Sequence, residues 1–428
     1  MWLLRQTPGL MTDLYELTMG QVYFDKQLDG TACFEVTVRH LPPRWGFFVM
    51  AGLEELAAYL EAFRFDEEDV AWLRGTGRFS EVFLGYLGGL RLDVDVRAMP
   101  EGTVFFAGEP VVEVRGPLIA AQLLESYVLN VLGFSIIEAS LAARVRIAAA
   151  GKAIVDFGLR RTQGPVAALR AARGGMMAGF AATSNVFAAR ALGFTASGTM
   201  AHSYVEAHES EREAFADFAE AHGEDAVLLV DTYEPFEGIR TGADVAGGYL
   251  RKHGLRIKGI RLDSGDLAEQ ARFARRLFDE RGLGFMEIFA SGGLDEYRVA
   301  ELVETCPEID GYGIGTRFGV SREAPDVDIA YKLVRYGERN VFKTSPGKVT
   351  RPGRKSVVRI TEGGRYVKDV VCPMRREVGA GDLLVPFGGA EEMGVIQERL
   401  QDELSKLSSD VKRLEGAQAY PVEFVEGE

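Results

Sequence analysis

Long apolar runs and cysteine pairs are both missing from this 428-residue sequence. No window approaches the roughly 18 consecutive apolar residues that a membrane-spanning helix requires. The cysteines, Cys33, Cys306 and Cys372, are scattered and form no CxxC pair, so neither a disulfide framework nor a cysteine-rich zinc site is predicted. The opening MWLLRQTPGL lacks the long apolar core of a secretory signal. These absences favour a soluble protein of the reducing cytoplasm, without a membrane partner.

A net positive charge is also absent. Aspartate and glutamate number 63 against 49 lysines and arginines, which gives a formal net charge of −14. Nucleic acid is therefore excluded as a partner, because phosphate backbones require a basic face. Small anionic ligands are still compatible with this charge, provided that arginine, lysine and backbone N–H groups are concentrated in one place.

The N-terminal part of the chain alternates helix and strand patterns. Apolar residues recur at helical spacing over Asp13–Phe24, and Thr31–Leu41 then alternates with period two, as in a half-buried strand. Further helix and strand patterns follow up to Gly116-Pro117. This region therefore predicts an α+β layer rather than a repeating βα array.

After Gly116-Pro117 the pattern changes to short strands that alternate with amphipathic helices, following an alanine-rich helical stretch at residues 118–150. The six predicted strands lie in the strings AIVDFGLRR, FTASGTMAHS, AVLLVDTYEP, GIRLDSGD, EIFASGG and GYGIGT. This alternation predicts a parallel sheet, and polar residues at the strand ends favour a (β/α) barrel with its active site at the mouth. An open doubly wound sheet is the alternative, but no G-x-G-x-x-G follows the first strand.

These patterns divide the chain into three segments. We predict an N-terminal α+β domain over residues 1–116, a (β/α) barrel domain with the active site over 117–330, and a C-terminal segment, 331–428, that rejoins the α+β domain. Its last helix carries apolar residues at near-heptad spacing from Ile396 to Leu414. This stretch contains fewer than three heptads, which is short for a coiled coil, so we expect the helix to pack on the protein body.

Arginine and aspartate follow two of the predicted barrel strands. Arg160 and Arg161 follow the first, and adjacent guanidinium groups there suit a carboxylate or phosphate, although a surface ion pair explains them equally well. Arg261 and Asp263 lie in GIRLDSGD, where arginine would neutralise a phosphate group and aspartate would hold hydroxyls or Mg²⁺. Capping of the next helix by DSGD is the alternative.

Two strand-to-glycine turns and one histidine complete the predicted site. FASGG (residues 289–293) and YGIGT (residues 312–316) would let backbone N–H groups approach a phosphate, at the late barrel position where such sites are common. His202 follows a small-residue turn and would lie at the mouth, although a lone histidine is more often structural. His208 is six residues further on, which is not a one-face helical spacing, so no metal-ligating residues are predicted.

Taken together, these segments resemble the nicotinate phosphoribosyltransferase family. The matching strings are TDLYELTMGQVYF, FEVTVRHLPP, FGLRRTQG, TSNVFAARALGF, GTMAHSYV, RLDSGDL, ASGGLDEYRV and GYGIGT. They extend over residues 12–345 and stand in the order of the family. Any one string is weak, but several in order are specific.

The resemblance implies a reaction. In the family, nicotinate displaces pyrophosphate from C1 of phosphoribosyl pyrophosphate, and ATP hydrolysis is coupled to the process, with Mg²⁺ accompanying both phosphate substrates. His202 is then expected to be transiently phosphorylated, and Arg261 and Asp263 to hold ribose and pyrophosphate. A homodimer with its active site at the interface is also implied.

The resemblance also assigns substrate-binding residues. Tyr15 and Arg160 are expected at the pyridine site, with Tyr15 supplied by the neighbouring subunit. Nicotinamide enzymes carry an aspartate near the position of Thr183 and Ser184, and the absence of a carboxylate there favours nicotinate. The expected 5′-phosphate ligands are Gly292, Gly293, Gly315 and Thr316, and Ser291 and Gly313 complete the substrate-binding set.

Three alternatives stand beside this interpretation. The first is a quinolinate or nicotinamide phosphoribosyltransferase on the same fold. The second is a catalytically inactive relative with a regulatory or assembly role, which the intact Arg160, His202, Arg261 and Asp263 argue against. The third is a barrel of unrelated chemistry. One departure from the family is the turn ASGGLDE, where many relatives have a serine-asparagine string.

Overall fold

A computed structural model describes residues 8–345, 350–374 and 381–425 of the chain. Contacts divide the chain into two compact units: unit 1 joins Met1–Ser140 to Asp326–Glu428, and unit 2 is Leu141–Pro325. The first division falls inside one long helix, whereas the sequence pattern changes earlier, after Pro117. A helix that continues through a division gives no local signal of it.

The first segment of unit 1 mixes helices with strands, as the sequence predicts. Its elements are α1 (Leu14–Asp25), β1 (Thr31–Val38), β2 (Phe48–Val49), α2 (Leu53–Ala62), α3 (Glu67–Gly75), α4 (Glu81–Gly89), β3 (Asp95–Ala98), β4 (Val104–Phe105), β5 (Pro110–Pro117), α5 (Leu118–Gln122) and α6 (Glu125–Ala148), which extends into unit 2.

Unit 2 alternates short strands with helices. Its elements after α6 are β6 (Ala153–Asp156), α7 (Pro165–Met177), β7 (Ala182–Thr183), α8 (Val186–Leu192), α9 (His202–Glu206), α10 (Glu211–His222), β8 (Val227–Leu229), α11 (Pro235–His253), β9 (Gly259–Leu262), α12 (Leu267–Glu280), β10 (Glu287–Ala290), α13 (Glu296–Thr305), β11 (Gly311–Ile314) and α14 (Thr316–Gly319).

The last segment returns to unit 1 and is mostly strand. Its elements are β12 (Ile329–Tyr336), β13 (Arg339–Asn340), β14 (Lys355–Glu362), β15 (Arg365–Pro373), β16 (Val385–Pro386), α15 (Met393–Lys406) and β17 (Val422–Phe424).

A six-stranded antiparallel sheet in the order β13-β12-β1-β5-β3-β16 forms the centre of unit 1. Strand β12 pairs with β1 along its whole length, which confirms that the C-terminal segment rejoins the N-terminal layer. Strand β1 is buried on both faces rather than one, because Glu35 on its second face bonds the buried Lys355 at 2.6 Å. An ion pair thus occupies positions where the alternating pattern predicts solvent.

The remaining C-terminal strands form a second sheet in the order β14-β15-β17. Helix α15 ends at Lys406, so Val411 and Leu414 of the near-heptad pattern lie beyond it. Ile396 and Leu400 are buried within unit 1. The prediction that this helix packs on the protein body is confirmed.

Unit 2 is built on a curled parallel sheet in the order β7-β6-β11-β10-β9-β8. It has the predicted barrel-like form, but among the described residues β7 and β8 do not pair with each other, so the barrel is incomplete. The predicted strand in FTASGTMAHS is wrong: Ala196 makes only an isolated bridge to Thr183. The strand that actually pairs with β6 is β7, which has only two residues, too few for a periodic pattern to identify.

The apolar stretch Leu118–Ala148 is long and apolar enough, by length and composition alone, to cross a membrane. In the structure, 83% of its most apolar window is buried inside the protein. Charged residues such as Glu138 and Arg144 interrupt the stretch and are themselves buried. The helix therefore belongs to the protein core.

Candidate active site

The carboxyl ends of the parallel strands in unit 2 bring most of the predicted residues to one edge of the sheet. Strand β6 leads into Arg160, β9 into Asp263, β10 into Ser291 and β11 into Gly315. In barrels of this kind the loops at this edge form the active site. Of the predicted set, Tyr15 is the one residue that lies in unit 1.

His202 begins α9, and its side chain is 41% exposed at this edge. Its Nδ1 lies 3.1 Å from the hydroxyl oxygen of Thr232, and its Nε2 lies 3.8 Å from Oδ2 of Asp263. The ring is thus fixed on one side by a hydroxyl and faces a carboxylate on the other. An accessible imidazole in this setting can act as a nucleophile or as an acid and base.

A network of side chains fixes the loop after β9. Oδ2 of Asp231 accepts bonds from the Asp263 N–H at 3.0 Å and from the Ser264 hydroxyl at 2.5 Å. The Ser291 hydroxyl donates to Oδ1 of Asp263 at 2.5 Å. Bonds to ionised carboxylates are short and strong, so Asp263 is held in one orientation beside His202.

Arg261 lies on β9 with most of its side chain buried, and it borders the ring of Phe157. Its guanidinium carbon is 5.7 Å from the Phe157 ring centre, and one terminal nitrogen donates to the Met200 carbonyl at 3.2 Å. Within the described part of the chain, its buried Nε has no hydrogen-bond partner. A buried guanidinium donor without an acceptor is costly, and an anionic ligand would satisfy it.

The electrostatics of Arg261 show that a second arginine is near. Burial lowers the pKa of Arg261, the carboxylates of Asp263 and Asp231 oppose this, and the charge of Arg160 lowers it further. Arg160 is exposed in the turn after β6, and its charge acts on Arg261. Arg261 on β9 and Arg160 after β6 thus both add positive charge at this edge, which favours an anionic ligand.

The turn after β10 depends on its first glycine. Gly292 has φ of +91°, and a Cβ there would lie 1.8 Å from the carbonyl oxygen of Asp263. Gly293 also has positive φ, +69°, but a Cβ there would contact nothing within 4 Å. The turn therefore lies directly against the loop after β9.

The turn after β11 lies against the loop of β6. A Cβ on Gly313 would come within 2.2 Å of the Phe157 ring, and one on Gly315 would lie 3.0 Å from the Phe157 carbonyl oxygen. Thr316 begins the four-residue helix α14, and the next residue, Arg317, bonds Asp295 at 2.9 Å. The predicted Gly313, Gly315 and Thr316 thus stand at the same sheet edge as Arg261.

Thr183 and Ser184 come directly from the short strand β7. Thr183 is fully buried, and its hydroxyl donates to Oδ2 of Asp156 at 2.7 Å. The same hydroxyl accepts the Asn185 N–H at 3.1 Å. The hydroxyl of Thr183 is therefore engaged with the protein itself, while Ser184 is half-buried at the strand end.

A cavity of about 540 Å³ extends from this edge into the curled sheet. Phe157, Arg261 and Gly313 line it at the carboxyl end, with Ser197, Gly198 and Thr199 on another wall. Its volume is in the range of small-molecule sites. Apolar side chains and the guanidinium group of Arg261 therefore border a space of small-molecule size.

Two residues of this site were missed by the sequence reasoning. Asp156 is buried at the end of β6, and Phe157 borders both Arg261 and the cavity. The available signal was the charge of Asp156 within the apolar strand AIVDF, because a carboxylate on a buried strand requires partners. The partner, Thr183, lies 27 residues further along the chain and carries no sequence mark of the contact.

Comparison with known proteins identifies the family. A model of the nicotinate phosphoribosyltransferase N-terminal domain matches residues 10–133, and one of the nicotinate phosphoribosyltransferase family matches residues 152–345. A nicotinate phosphoribosyltransferase of Mycobacterium tuberculosis is 46% identical over 387 residues, which cover 90% of this chain and 82% of that protein. The chain belongs to the nicotinate phosphoribosyltransferase family.

Further relatives agree with this family and with its fold. A nicotinate phosphoribosyltransferase of Bacillus subtilis is 34% identical over 459 residues, covering 98% of this chain and 93% of the relative. The crystal structure of human nicotinic acid phosphoribosyltransferase superposes with a TM-score of 0.81 at 26% identity and covers 97% of each chain. The predicted family and fold class are both confirmed.

Proposed function

We propose that the chain transfers the phosphoribosyl group of phosphoribosyl pyrophosphate to nicotinate and couples this transfer to ATP hydrolysis through a phosphohistidine at His202. Nicotinate, phosphoribosyl pyrophosphate, ATP and water become nicotinate mononucleotide, pyrophosphate, ADP and phosphate. This is the first step of NAD salvage from nicotinate. The observation that carries the proposal is the grouping of His202, Asp263 and the buried, unpaired Nε of Arg261 at one sheet edge in a member of this family.

The phosphoribosyl transfer requires neutralisation of developing charge more than it requires an acid or a base. The pyridine nitrogen of nicotinate already carries a free electron pair and attacks C1 of the ribose while pyrophosphate leaves. Positive charge develops on the ribose, and negative charge develops on the leaving group. Arg261 would neutralise the leaving pyrophosphate and Asp263 would bind the ribose hydroxyls, so catalysis comes from positioning and electrostatics.

The energy coupling would use the imidazole of His202. A ring nitrogen attacks the γ-phosphorus of ATP, the bond to ADP breaks, and water later hydrolyses the phosphohistidine to phosphate. Thr232 on one side of the ring and Asp263 on the other support this role, because they hold the ring at a fixed orientation. A phosphorylated His202 would change the charge next to the pyrophosphate site.

Mg²⁺ would accompany the phosphate substrates rather than occupy a protein cage. Among residues 8–345, 350–374 and 381–425, no group of three or more His, Cys, Asp or Glu could hold a metal ion. Mg²⁺ often uses one or two carboxylates together with substrate phosphates, and the partly exposed Asp263 fits that use. There it would neutralise phosphate charge.

The pyridine ring would lie near Phe157 and Arg160. The guanidinium group of Arg160 favours the carboxylate of nicotinate over an uncharged amide. Thr183 and Ser184 supply no carboxylate that would repel it. Both features support nicotinate rather than nicotinamide as the substrate.

A homodimer with a shared active site is part of the proposal. Leu14, Tyr15 and Val22 lie along α1 and are about half exposed, and Trp72 is 63% exposed in the same unit. Exposed apolar side chains in such numbers are typical of an interaction surface. Tyr15 would then reach the pyridine ring of the neighbouring subunit.

We further infer a cytoplasmic, soluble location with small-molecule partners. The scattered cysteines remain free, with Cys33 and Cys306 buried, which suits a reducing compartment. The acidic net charge disfavours nucleic acid.

Competition between nicotinate and nicotinamide tests the substrate. The purified chain receives equal concentrations of both, with phosphoribosyl pyrophosphate, ATP and Mg²⁺, and products are separated by mass. We expect nicotinate mononucleotide to dominate, because Arg160 favours the charged ring substituent. A predominance of the amide product would refute nicotinate as the substrate, and absence of both products would refute phosphoribosyl transfer.

The variant His202→Ala tests the energy coupling. We expect ATP stimulation of product formation to disappear while slow ATP-independent synthesis persists, because the phosphoryl acceptor is lost but Arg261 and Asp263 stay. His208→Ala is the matched control, since that histidine bonds the Tyr204 carbonyl and lies 3.7 Å from Asp217, away from the site. Undiminished ATP stimulation in His202→Ala would contradict the phosphohistidine.

A further inference from the structure

A buried carboxylate in unit 2 has no role in the proposed reaction. Asp156, at the end of β6, is 1% exposed. Oδ1 accepts the Gly158 N–H at 2.6 Å, and Oδ2 accepts the Thr183 hydroxyl at 2.7 Å. Its backbone carbonyl accepts the Ser184 N–H at 2.8 Å. One residue therefore joins two segments that are separate in sequence.

These two segments carry the residues proposed for the pyridine site. The bond to Gly158 closes the turn from Phe157 to Arg160. A Cβ on Gly158 would lie 2.8 Å from Oδ1 of Asp156, so the carboxylate and the turn are in close contact. The bond to Thr183 fixes the end of β7, where Ser184 follows.

Asp156 also decides which way the Thr183 hydroxyl points. The hydroxyl hydrogen is directed to Asp156, and the oxygen accepts the Asn185 N–H at 3.1 Å. An ionised carboxylate can only accept, so the hydroxyl must donate to it. With this hydrogen committed, Thr183 presents no free donor at the strand end.

For folding stability alone, a buried carboxylate at this position is unfavourable. Burial raises the pKa of Asp156, and the bonds from Thr183 and Gly158 oppose that rise. A buried charge without a cationic partner is destabilising unless hydrogen bonds compensate, and an apolar residue avoids the cost. What the carboxylate provides is two short, directional bonds that set a distance between two loops.

We propose that Asp156 is a positioning residue for the pyridine ring: it holds the turn of Phe157 and Arg160 at a fixed distance from Thr183 and Ser184. The inference rests on the proposed function, because the ring site is the one proposed there. Its effect falls on nicotinate more than on phosphoribosyl pyrophosphate. The residues proposed for the latter are on β9 and on the loops after β9, β10 and β11; they border Phe157 but make none of the bonds to Asp156.

The variant Asp156→Asn in the full chain is the test. Asparagine offers one acceptor where two donors meet the carboxylate, so one bond is lost or the Thr183 hydroxyl reverses. We expect the KM for nicotinate to rise about tenfold or more, the range of a lost bond to a charged group. The KM for phosphoribosyl pyrophosphate should rise clearly less, because its proposed residues make no bond to Asp156 and contact the turn only by packing.

The matched control is Asp310→Asn, at the opposite edge of the same sheet. Oδ2 of Asp310 accepts the Ile288 N–H at 2.8 Å, a bond that the amide oxygen of asparagine can keep, so the control removes only the charge of a carboxylate on this sheet. It should leave the KM of both substrates unchanged. Thr183→Val is the second test variant, because it removes the donor and keeps the carboxylate; its nicotinate KM should rise in the same way.

The outcomes separate the inference from the proposed function. An unchanged nicotinate KM in Asp156→Asn, or parallel rises in both KM values, overturns the positioning role. If Asp156→Asn does not fold by circular dichroism, Thr183→Val decides, and an unchanged nicotinate KM there overturns the role as well. Failure of the wild-type chain to use nicotinate at all refutes the proposed function itself, whereas wild-type activity with unaltered variants refutes only this inference.

Discussion

Glu109 in unit 1 shows how a single buried carboxyl can make stability depend on pH. It is fully buried beside Asp369, which already accepts bonds from Arg359 and from the Tyr420 hydroxyl. Burial, and then the charge of Asp369, raises the pKa of Glu109 well above its usual value. Two neighbouring buried carboxyl groups repel each other when both are ionised, so the protonated form of Glu109 is favoured.

The sign of the pH effect follows from this raised pKa. The contribution of protonated Glu109 to the free energy of unfolding is fully present below the pKa of a glutamate in the unfolded chain. It is lost as pH rises through the higher pKa of Glu109 in the folded protein. Glu109→Gln keeps a neutral donor in place, so its stability relative to wild type should increase by about 1.4 kcal/mol per pH unit over that interval. Urea unfolding at pH 5 to 8 measures it, with the exposed Glu81→Gln as control; parallel curves for Glu109→Gln and wild type would contradict the raised pKa of Glu109.

Among the elements, the turn after β10 is the most constrained by close approach. Gly292→Ala places a methyl group against the Asp263 carbonyl. Gly293→Ala introduces the same kind of positive-φ strain, but its methyl group meets no neighbour. We expect Gly292→Ala to lose about ten- to a hundredfold in kcat/KM for phosphoribosyl pyrophosphate, from the 1–3 kcal/mol typical of overpacking. Equal losses in the two variants, measured by initial rates, would show that the contact with Asp263 is unimportant.

The same elements show how far sequence reasoning reaches. Strands β6, β9, β10 and β11 were predicted because each is an apolar run followed by a glycine or a charge. Strand β7 was missed because its two residues, Ala182 and Thr183, owe their conformation to pairing with β6 rather than to any local preference. The alternating pattern predicts a half-buried β1, because Lys355, which pairs with Glu35, lies 320 residues away and is not visible locally.

The residues of the candidate site also fall into two groups, those that a local sequence pattern predicts and those that only the fold reveals. Arg261, Asp263 and the glycine turns have local signatures, since their chemistry depends on residue type and strand position. The roles of Asp156, Phe157 and Thr232 depend on which loops meet in space. A contact such as Asp156 with Thr183 leaves no trace in either segment, so only the fold reveals it.

At the scale of the whole molecule, the proposed shared site can be tested by mixing subunits. Tyr15→Ala and His202→Ala chains, each with its own tag, should have little ATP-stimulated activity alone. Coexpressed, they should recover about a quarter of the wild-type rate, because half of the dimers are mixed and each mixed dimer keeps one intact site. If the purified mixed dimers show no recovery, Tyr15 and His202 act from the same chain or Tyr15 has no role.

The discontinuity of unit 1 also has a consequence for biosynthesis. Strand β1 emerges early from the ribosome, but its partner β12 follows only after the whole of unit 2. At typical elongation rates of about 5–20 residues per second, one edge of β1 waits roughly fifteen to sixty seconds for that partner. An uncovered strand edge is a site for wrong pairing during that interval. Expression at lower temperature or with chaperones should therefore raise the yield of this chain, and a circular permutant that places β12 before β1 should need them less.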